Sequence, residues 1–349
     1  METTDIDGSY GEGGGAILRL AGSLSAVTSK PIRIFNIRSS RPKPGLQAQH
    51  LESIKAIAAL CNGTLSGAFP GSTEIRLNPG KIEERDISIS ISTAGSIALL
   101  FQSLKLLSIS LQKGIKVEVK GGATFGKFAP PLPYTQNILL PTLRKMGFSG
   151  SIDIKRHGFY PAGGADAIIE LNPCRRLQPI FSEPLGKITE IKIHSIANNG
   201  LGKAMVAERQ AKEAESILKQ FCGKIESVIE YADTLCPGSG IVIEARDDRG
   251  NILGSDGIGE RELKAEIVGE RAARRLKETI EAEANVDSHL SDQLLAFMAL
   301  TKGESRIFAP NITQHARTNI WVINKFLKPD FEINKADRCF EIKCSGIGD

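Results

Sequence analysis

The sequence predicts an α/β (α+β) protein: three βαβαββ-like repeats forming one large domain, with a small α/β domain inserted before the last repeat. Three observations predict it. The words "KPIRIFNIR", from Lys30, and "KGIKVEVKG", from Lys113, share the order Lys-x-Ile-basic-β-branched, and each runs from an apolar helical stretch into a Gly/Pro-rich loop. The words "IRLNP", Ile75 to Pro79, and "IELNP", Ile169 to Pro173, close the two corresponding stretches. Between about 184 and 280 the pattern stops and another alternation of strands and helices replaces it. Self-similarity along a chain is the mark of one supersecondary unit used more than once.

Each element follows from local pattern. In the first repeat "GSYGEGGGAILRL" is a glycine turn opening an apolar helix, "KPIRIFNIR" is a strand, and "GLQAQHLESIKAIAALCNG" has helical period before two strand-like runs. In the second, "SIALLFQSLKLLSISL" is helical, "KGIKVEVKG" a strand, and "PLPYTQNILLPTLRKMGF" helical. The inserted stretch reads as strand "ITEIKIHSIA", amphipathic helix "KAMVAERQAKEAESILKQFC", strands "IESVIEY" and "GIVIEAR", and charged helix "ERELKAEIVGERAARRLKETI". A weaker third copy runs from "DQLLAFMALTKGESRIFA" through a polar loop to "NIWVINKFL", "DFEIN" and "RCFEIK". The expected domains are therefore 1–183 plus 281–349, and 184–280.

Composition narrows the function classes. A chain of 349 residues, 41% hydrophobic and 24% charged, has the balance of a soluble globular protein and can bury a sizeable core without metal or disulfide staples. The longest apolar run is interrupted by Gln102 and Lys105 before it could span a bilayer, and the N-terminal stretch has no basic region leading into an apolar one. A cytoplasmic protein with no membrane partner is expected. Six cysteines lie scattered without a C-x-x-C pair and are expected to be mostly buried apolar residues. The net charge of +4 is too small to establish nucleic-acid binding, so local clusters must carry that case.

The three loops that follow the repeated strands, "RSSRPKPGLQAQ", "GGATFGKFAPPLP" and "APNITQHARTN", occupy equivalent positions, and the first and last of them, with two helix starts, hold the candidate chemistry. "GSYGEGGGAILRL" sets Glu12 and Arg19 around a helix start: either backbone N–H groups gathered on an anion, or a tight turn needing positive φ. It lacks the Gly-Lys-Ser/Thr of a P-loop. "IRSSRPKPGLQAQHL" carries Arg38, Arg41, Lys43, Gln49 and His50, with prolines to hold the guanidinium forks apart. Such forks suit phosphate oxygens, and a solvated basic loop is the alternative. "VDSHLSDQLLAFMAL" opens a helix with Asp287 or Ser288 as N-cap, and Asp292 or Gln293 either complements the dipole or points into a site. "APNITQHARTN" places His315, one of five histidines, in the last of these loops. His157 and His194 lie in strand-like contexts and read as structural.

Taken together, "DGSYGEGGGAILR", "RPKPGLQAQHL", "STAGSIALLFQSL", "RHGFYPAGGADAIIEL", "GERAARRL", "HLSDQLL" and "TQHARTNI" resemble, in order and almost end to end, the catalytic RNA 3'-terminal phosphate cyclases. That resemblance implies repeats of the kind found at the C-terminus of a bacterial translation initiation factor, on a fold related to the enolpyruvyl transferases. It implies ATP-dependent conversion of an RNA 3'-phosphate into a 2',3'-cyclic phosphodiester through a covalent histidine–AMP and an RNA(3')pp(5')A intermediate. His315 stands at the nucleophile. Gln102, Asp292 and Gln293 would approach ATP, and Pro131 with His289 would flank its adenine, although some relatives carry an aromatic residue where His289 stands. Arg19, Arg38, Arg41, Gln49 and His50 would meet phosphate or RNA, and Glu12 a divalent ion, Mg or Mn. Expected partners are ATP and RNA with a 3'-phosphate end, and a homo-oligomer stays open. The rival readings are a non-catalytic, cyclase-like RNA-binding protein of ribosome assembly and an enolpyruvyl transferase.

Overall fold

A computed structural model describes residues 2–348. The first repeat is a four-stranded sheet of β1 (Thr4–Asp7), β2 (Ile32–Phe35), β3 (Thr64–Ser66) and β4 (Ile75–Asn78), with α1 (Gly15–Thr28) and α2 (Ala48–Leu60). Its order is β1-β2-β4-β3, with β1 parallel to β2 and the other pairs antiparallel. The second repeat has the same plan in β5 (Ile87–Ser96), β6 (Ile115–Ala123), β7 (Gly150–Arg156) and β8 (Asp166–Leu171), ordered β5-β6-β8-β7, again with a parallel first pair. Its first helix is α3 (Ile97–Leu104). Its second is α4 (Leu132–Tyr134) joined to α5 (Leu140–Lys145) through a π-helical stretch, Thr135–Leu139. There Leu140 N–H donates to Thr135 O five residues back, just ahead of Pro141, which has no N–H to give.

Next in the chain come β9 (Ile188–Asn198), α6 (Val206–Leu218), β10 (Ile225–Ala232), β11 (Ser239–Asp247), β12 (Ile252–Ile258) and α7 (Ala265–Glu281), the strands ordered β10-β9-β11-β12. A hydrophobic cluster of its own joins this sheet to its helices, with Ile191, Ile193, Ala211, Ile243 and Leu276 among its members. The strand β12 lies in "NILGSDGI", which sequence reading left unassigned: Gly254 and Gly257 interrupt the apolar period, and pairing with β11 supplies what propensity does not.

The third repeat is α8 (Ser288–Leu300), β13 (Lys302–Ala309), α9 (Gln314–Phe326), β14 (Asp330–Lys335) and β15 (Phe340–Ile347), ordered β13-β15-β14. Its first-strand position is filled from far upstream. Phe181 bridges Arg306 in parallel, Ser182 N–H donates to Arg306 O at 3.0 Å, and Arg306 N–H donates to Ile180 O at 2.7 Å. All three repeats thus share one strand order, and the elements from β9 to α7, Ile188 to Glu281, enter between the first strand of the third and its first helix. The α/β class and the threefold repeat expected from the sequence are the observed architecture.

The apolar faces of all three repeats feed one large core in which Ile34, Phe101, Tyr134, Phe148, Leu294 and Phe297 are fully or almost fully buried. Each such side chain contributes about 1.5–3 kcal/mol. Asp287 ties three elements at the seam. As N-cap of α8 it accepts from His289 N–H and Leu290 N–H at 2.9 and 3.0 Å, from Tyr134 Oη–H at 2.7 and 2.8 Å, and from Gly254 N–H of β12 at 2.9 Å. The cap expected at Asp287 or Ser288 is Asp287. Tyr134→Phe keeps the ring packing and removes one charged hydrogen bond, so a loss of about 2 kcal/mol is expected in urea unfolding. An unchanged midpoint would mean that the Tyr134 hydroxyl is idle there.

His157 is buried, its Nδ1 3.0 Å from Thr124 Oγ1 and its Nε2 3.4 Å from Glu230 Oε1, in keeping with a structural imidazole. Five of the six cysteines are buried and none is paired among the described residues. No helix among the described residues is long and apolar enough to cross a membrane.

Candidate active site

The site assembles where the first repeat meets the third. The loop before α1 turns through Gly11 and Gly13, at φ 57° and 56°, and only residues without a Cβ adopt that backbone freely. A Cβ on Gly11 would lie 2.4 Å from Thr318 Oγ1 of α9, so the loop rests directly on that helix. Tyr10 and Trp321 lock the same contact, their rings stacked at 4.1 Å and 9°. Glu12 is thereby delivered to the first turn of α9, where His315 Nε2 stands 3.1 Å from Glu12 Oε2. Arg41 Nη2 reaches the same oxygen at 3.4 Å.

His315 is the second residue of α9, and Thr313 caps that helix. Thr313 Oγ1 accepts from Ala316 N–H at 2.8 Å and donates to Asp292 Oδ1 at 2.6 Å, while Asn319 Nδ2 donates to Asp292 O at 3.0 Å. The nucleophile candidate is thus set by α8 as much as by its own helix. Burial holds the His315 imidazole below its ordinary range, Glu12 opposes, and the charges of Arg19, His289 and Arg41 add to the lowering. A neutral ring near pH 7 is the consequence. Burial also raises the Asp292 carboxyl to about 7, offset in part by the Thr313 hydrogen bond and reinforced by Asp287 and Glu12.

Three guanidinium groups lie nearby: Arg19 and Arg41 act on His315, and Arg38 stands beside Arg41. Arg19, on the second turn of α1, is partly buried, and burial lowers it to about 10. Arg38 and Arg41 come from the loop after β2, Arg38 held at φ 56° with Nη2 donating to Lys43 O at 3.3 Å. Each of the three has a buried Nε–H without a partner. Unpaired buried donors are costly and rare, and three together define a place that wants acceptor oxygens. The N-terminus of α9 adds its own positive end.

Beside them a cavity between α1, α3, α8 and α9 is lined by Arg19, Gln102, Lys105, Asp292, Gln293 and Asn319. The structure therefore brings Glu12, Arg19, Arg41 and His315 together around His315, and Arg19, Gln102, Asp292 and Gln293 around the adjoining cavity. His289 opens α8 one turn before Asp292, half-exposed, its ring edge-on to Tyr134 at 6.1 Å and its Nε2 3.8 Å from Asp256 Oδ1. Pro131 is buried as the N-cap of α4. Gln49 sits in the first turn of α2 facing Gly95, with no hydrogen bond to the His315 group. His50 is buried and completes the cap of α2: its Nδ1 accepts from Gln47 N–H at 3.3 Å. Burial, with Arg19 and Arg38, lowers His50 to about 3, so it is a neutral ring pressed against Gly15 and adds no cation to the cluster. A second cavity, around Ser66 and Arg76, shares none of these residues.

Sequence reading missed Thr313, Asn319 and Lys105. The first two act through a contact between α8 and α9 that spacing does not reveal. Lys105 left a signal, a single charge inside the apolar run "LLFQSLKLLS". Among the described residues no three His, Cys, Asp or Glu side chains gather as a metal site. Glu12 alone suits a divalent ion that takes its remaining oxygens from substrate phosphates, a common arrangement for Mg²⁺.

Comparison with known proteins shows the family. A family model described as RNA 3'-terminal phosphate cyclase matches residues 10–333. Proteins named RNA 3'-terminal phosphate cyclase are similar along their whole length. That of Methanopyrus kandleri is 40% identical over 339 residues, covering 95% of this chain and 96% of its own. That of Thermococcus gammatolerans is 42% identical over 334 residues, covering 95% of each. A solved enolpyruvyl transferase, NikO from Streptomyces tendae, aligns over 100% of this chain and 49% of its own at 10% identity, with a TM-score of 0.39, too low to carry function across.

Proposed function

The chain belongs to the RNA 3'-terminal phosphate cyclase family, and we propose that it closes an RNA 3'-phosphate into a 2',3'-cyclic phosphodiester at the expense of ATP, with His315 as nucleophile. The observation that carries this reading is His315 Nε2 at 3.1 Å from Glu12, with Arg19 and Arg41, whose Nε–H groups lack partners, acting on the same imidazole.

Three displacements account for the chemistry. His315 Nε2 attacks the α-phosphorus of ATP, a P–N bond forms, and the P–O bond to pyrophosphate breaks. An oxygen of the RNA 3'-phosphate then attacks that phosphorus, the P–N bond breaks, and the imidazole is regenerated. Finally the ribose O2' attacks the terminal RNA phosphorus and expels AMP, closing the ring. Splitting one difficult substitution into easier steps is what a covalent nucleophile contributes.

Each group in the site has a part. An ionised Glu12 can only accept, so it holds the proton on His315 Nε2. Attack needs that proton on Nδ1, which leaves the Nε2 lone pair free, and Glu12 would be the residue to hold a divalent ion. The bound ion would neutralise the phosphates. Arg19, Arg38 and Arg41 donate to the oxygens on which charge develops, and partial burial strengthens those bonds. Gln102, Asp292 and Gln293 take the nucleoside side, with Pro131 and His289 at the base, while residues 184–280 form an inserted domain beside a catalytic body of 1–183 plus 281–349.

The test is incubation of the purified chain with α-labelled ATP and Mg²⁺ or Mn²⁺. An acid-labile, alkali-stable label is expected in the peptide holding His315, transferable to 3'-phosphorylated RNA. Absence of label from folded protein that still binds RNA would favour the non-catalytic RNA-binding reading.

A further inference from the structure

Lys105 lines the cavity and has no part in the reaction above. It begins the 3₁₀ turn after α3, is 4% exposed, and its Nζ donates to Gln293 O at 3.1 Å and Gln293 Oε1 at 3.4 Å. Its remaining side lies 5.5 Å from the centre of the Phe297 ring. All of its directions are therefore spent on α8.

Lys105 Nζ donates to both Gln293 oxygens, and in its ammonium form it has no lone pair to accept with, so the Gln293 amide turns its oxygen toward Lys105. Its NH₂ then faces the other way. Among the described residues that amide bonds to Lys105 alone, through its oxygen, and Gln293 shares the cavity wall with Arg19, Gln102 and Asp292. We propose that Lys105 is a positioning residue: it fixes the Gln293 amide with its NH₂ toward the cavity, where it donates to an oxygen of the bound nucleotide. The proposal rests on the reading of this cavity as the ATP site.

The alternative is packing, and a leucine would pack here without the desolvation that pulls Lys105 down to about 7. Without Lys105 the amide can turn over at little cost. Its carbonyl would then face the oxygen-rich nucleotide and repel it.

The test compares wild type, Lys105→Met, Gln293→Ala and the double variant, reading the Kd for ATP together with kcat and KM for self-adenylylation. Lys105→Met is expected to weaken ATP about tenfold in Kd and KM, the scale of one hydrogen bond, with kcat within about twofold and no loss of thermal stability. Gln293→Ala is expected to do the same, and the double variant to be no worse than Gln293→Ala. Multiplying effects, or an unchanged Kd in Lys105→Met, would overturn the proposal while ATP binding by wild type kept the site reading intact. Wild type that binds no ATP would overturn both. Gln293→Glu, which leaves Lys105 its acceptor, covers the case of a Lys105→Met chain that does not fold. It should weaken ATP at least as much as Gln293→Ala, and undiminished binding would show that no donor is needed at that position.

Discussion

His315→Ala is expected to take no AMP label and to cyclise RNA at least about a thousandfold more slowly than wild type, equivalent to about 4 kcal/mol of barrier. No other imidazole stands ready to replace it: His50 is buried in the α2 cap, and His289 faces Asp256. The substitution should leave the fold alone, since Thr313 and not His315 caps α9 and the His315 side chain is 48% exposed. ATP should still bind through the arginines and the cavity, so loss of label with retained ATP affinity is the signature. In wild type the imidazole must be neutral to attack, and its pKa lies below 6.5. The labelling rate should therefore hold as pH falls through 7 and decline only below 6.5. Residual labelling of His315→Ala at more than a few per cent of wild type would place the nucleophile elsewhere.

Asp292→Asn is expected to stabilise the protein at pH 8 by as much as about 4 kcal/mol and by far less at pH 5. Burial raises the Asp292 carboxyl from 3.8 to about 7 in the folded chain. Between those values the native state holds a proton that the unfolded chain releases. Stability from this group is therefore full at low pH, falls as pH rises through the window, and its penalty is complete above 7. Asparagine removes the penalty and still offers an oxygen to Thr313 Oγ1, so the cap of α9 survives. Urea unfolding at both pH values checks this. Equal differences at pH 5 and pH 8 would mean that Asp292 ionises as an ordinary surface carboxyl. Asp292→Asn should also bind ATP more weakly despite its greater stability, the mark of a group kept for function rather than for the fold.

Much of this molecule was legible in advance for reasons that can be located. The repeats showed because equivalent strands keep Lys-x-Ile-basic and Leu-Asn-Pro words, and those words sit on paired strands in corresponding places. Glu12 showed because the glycines that let its loop reach Thr318 are conspicuous in sequence. The arginines showed because prolines set them apart from ordinary solvated charge.

Other features are properties of the assembled chain. Ile180–Ser182 is too short and too close to Pro179 and Pro184 to announce a strand, and only β13 makes it one. Thr313 and Asp292 are unremarkable in sequence until α8 and α9 pack. Lys105 was visible as a charge out of place, but its partner lies 188 residues away.

That short strand also bears on the order in which the protein comes into being. Ile180 and Ser305 meet across 125 residues, so the third repeat cannot close until everything between them has been synthesised. Closing so long a loop adds little to the equilibrium cost, because that cost grows only with the logarithm of length, but it delays the event. The first two repeats can settle on a ribosome while the third is still unfinished. Glu12 lies before this long loop and His315 after it, so the two meet only once the third repeat has formed. The site is completed in one late step, when α9 docks against the glycine loop that carries Glu12.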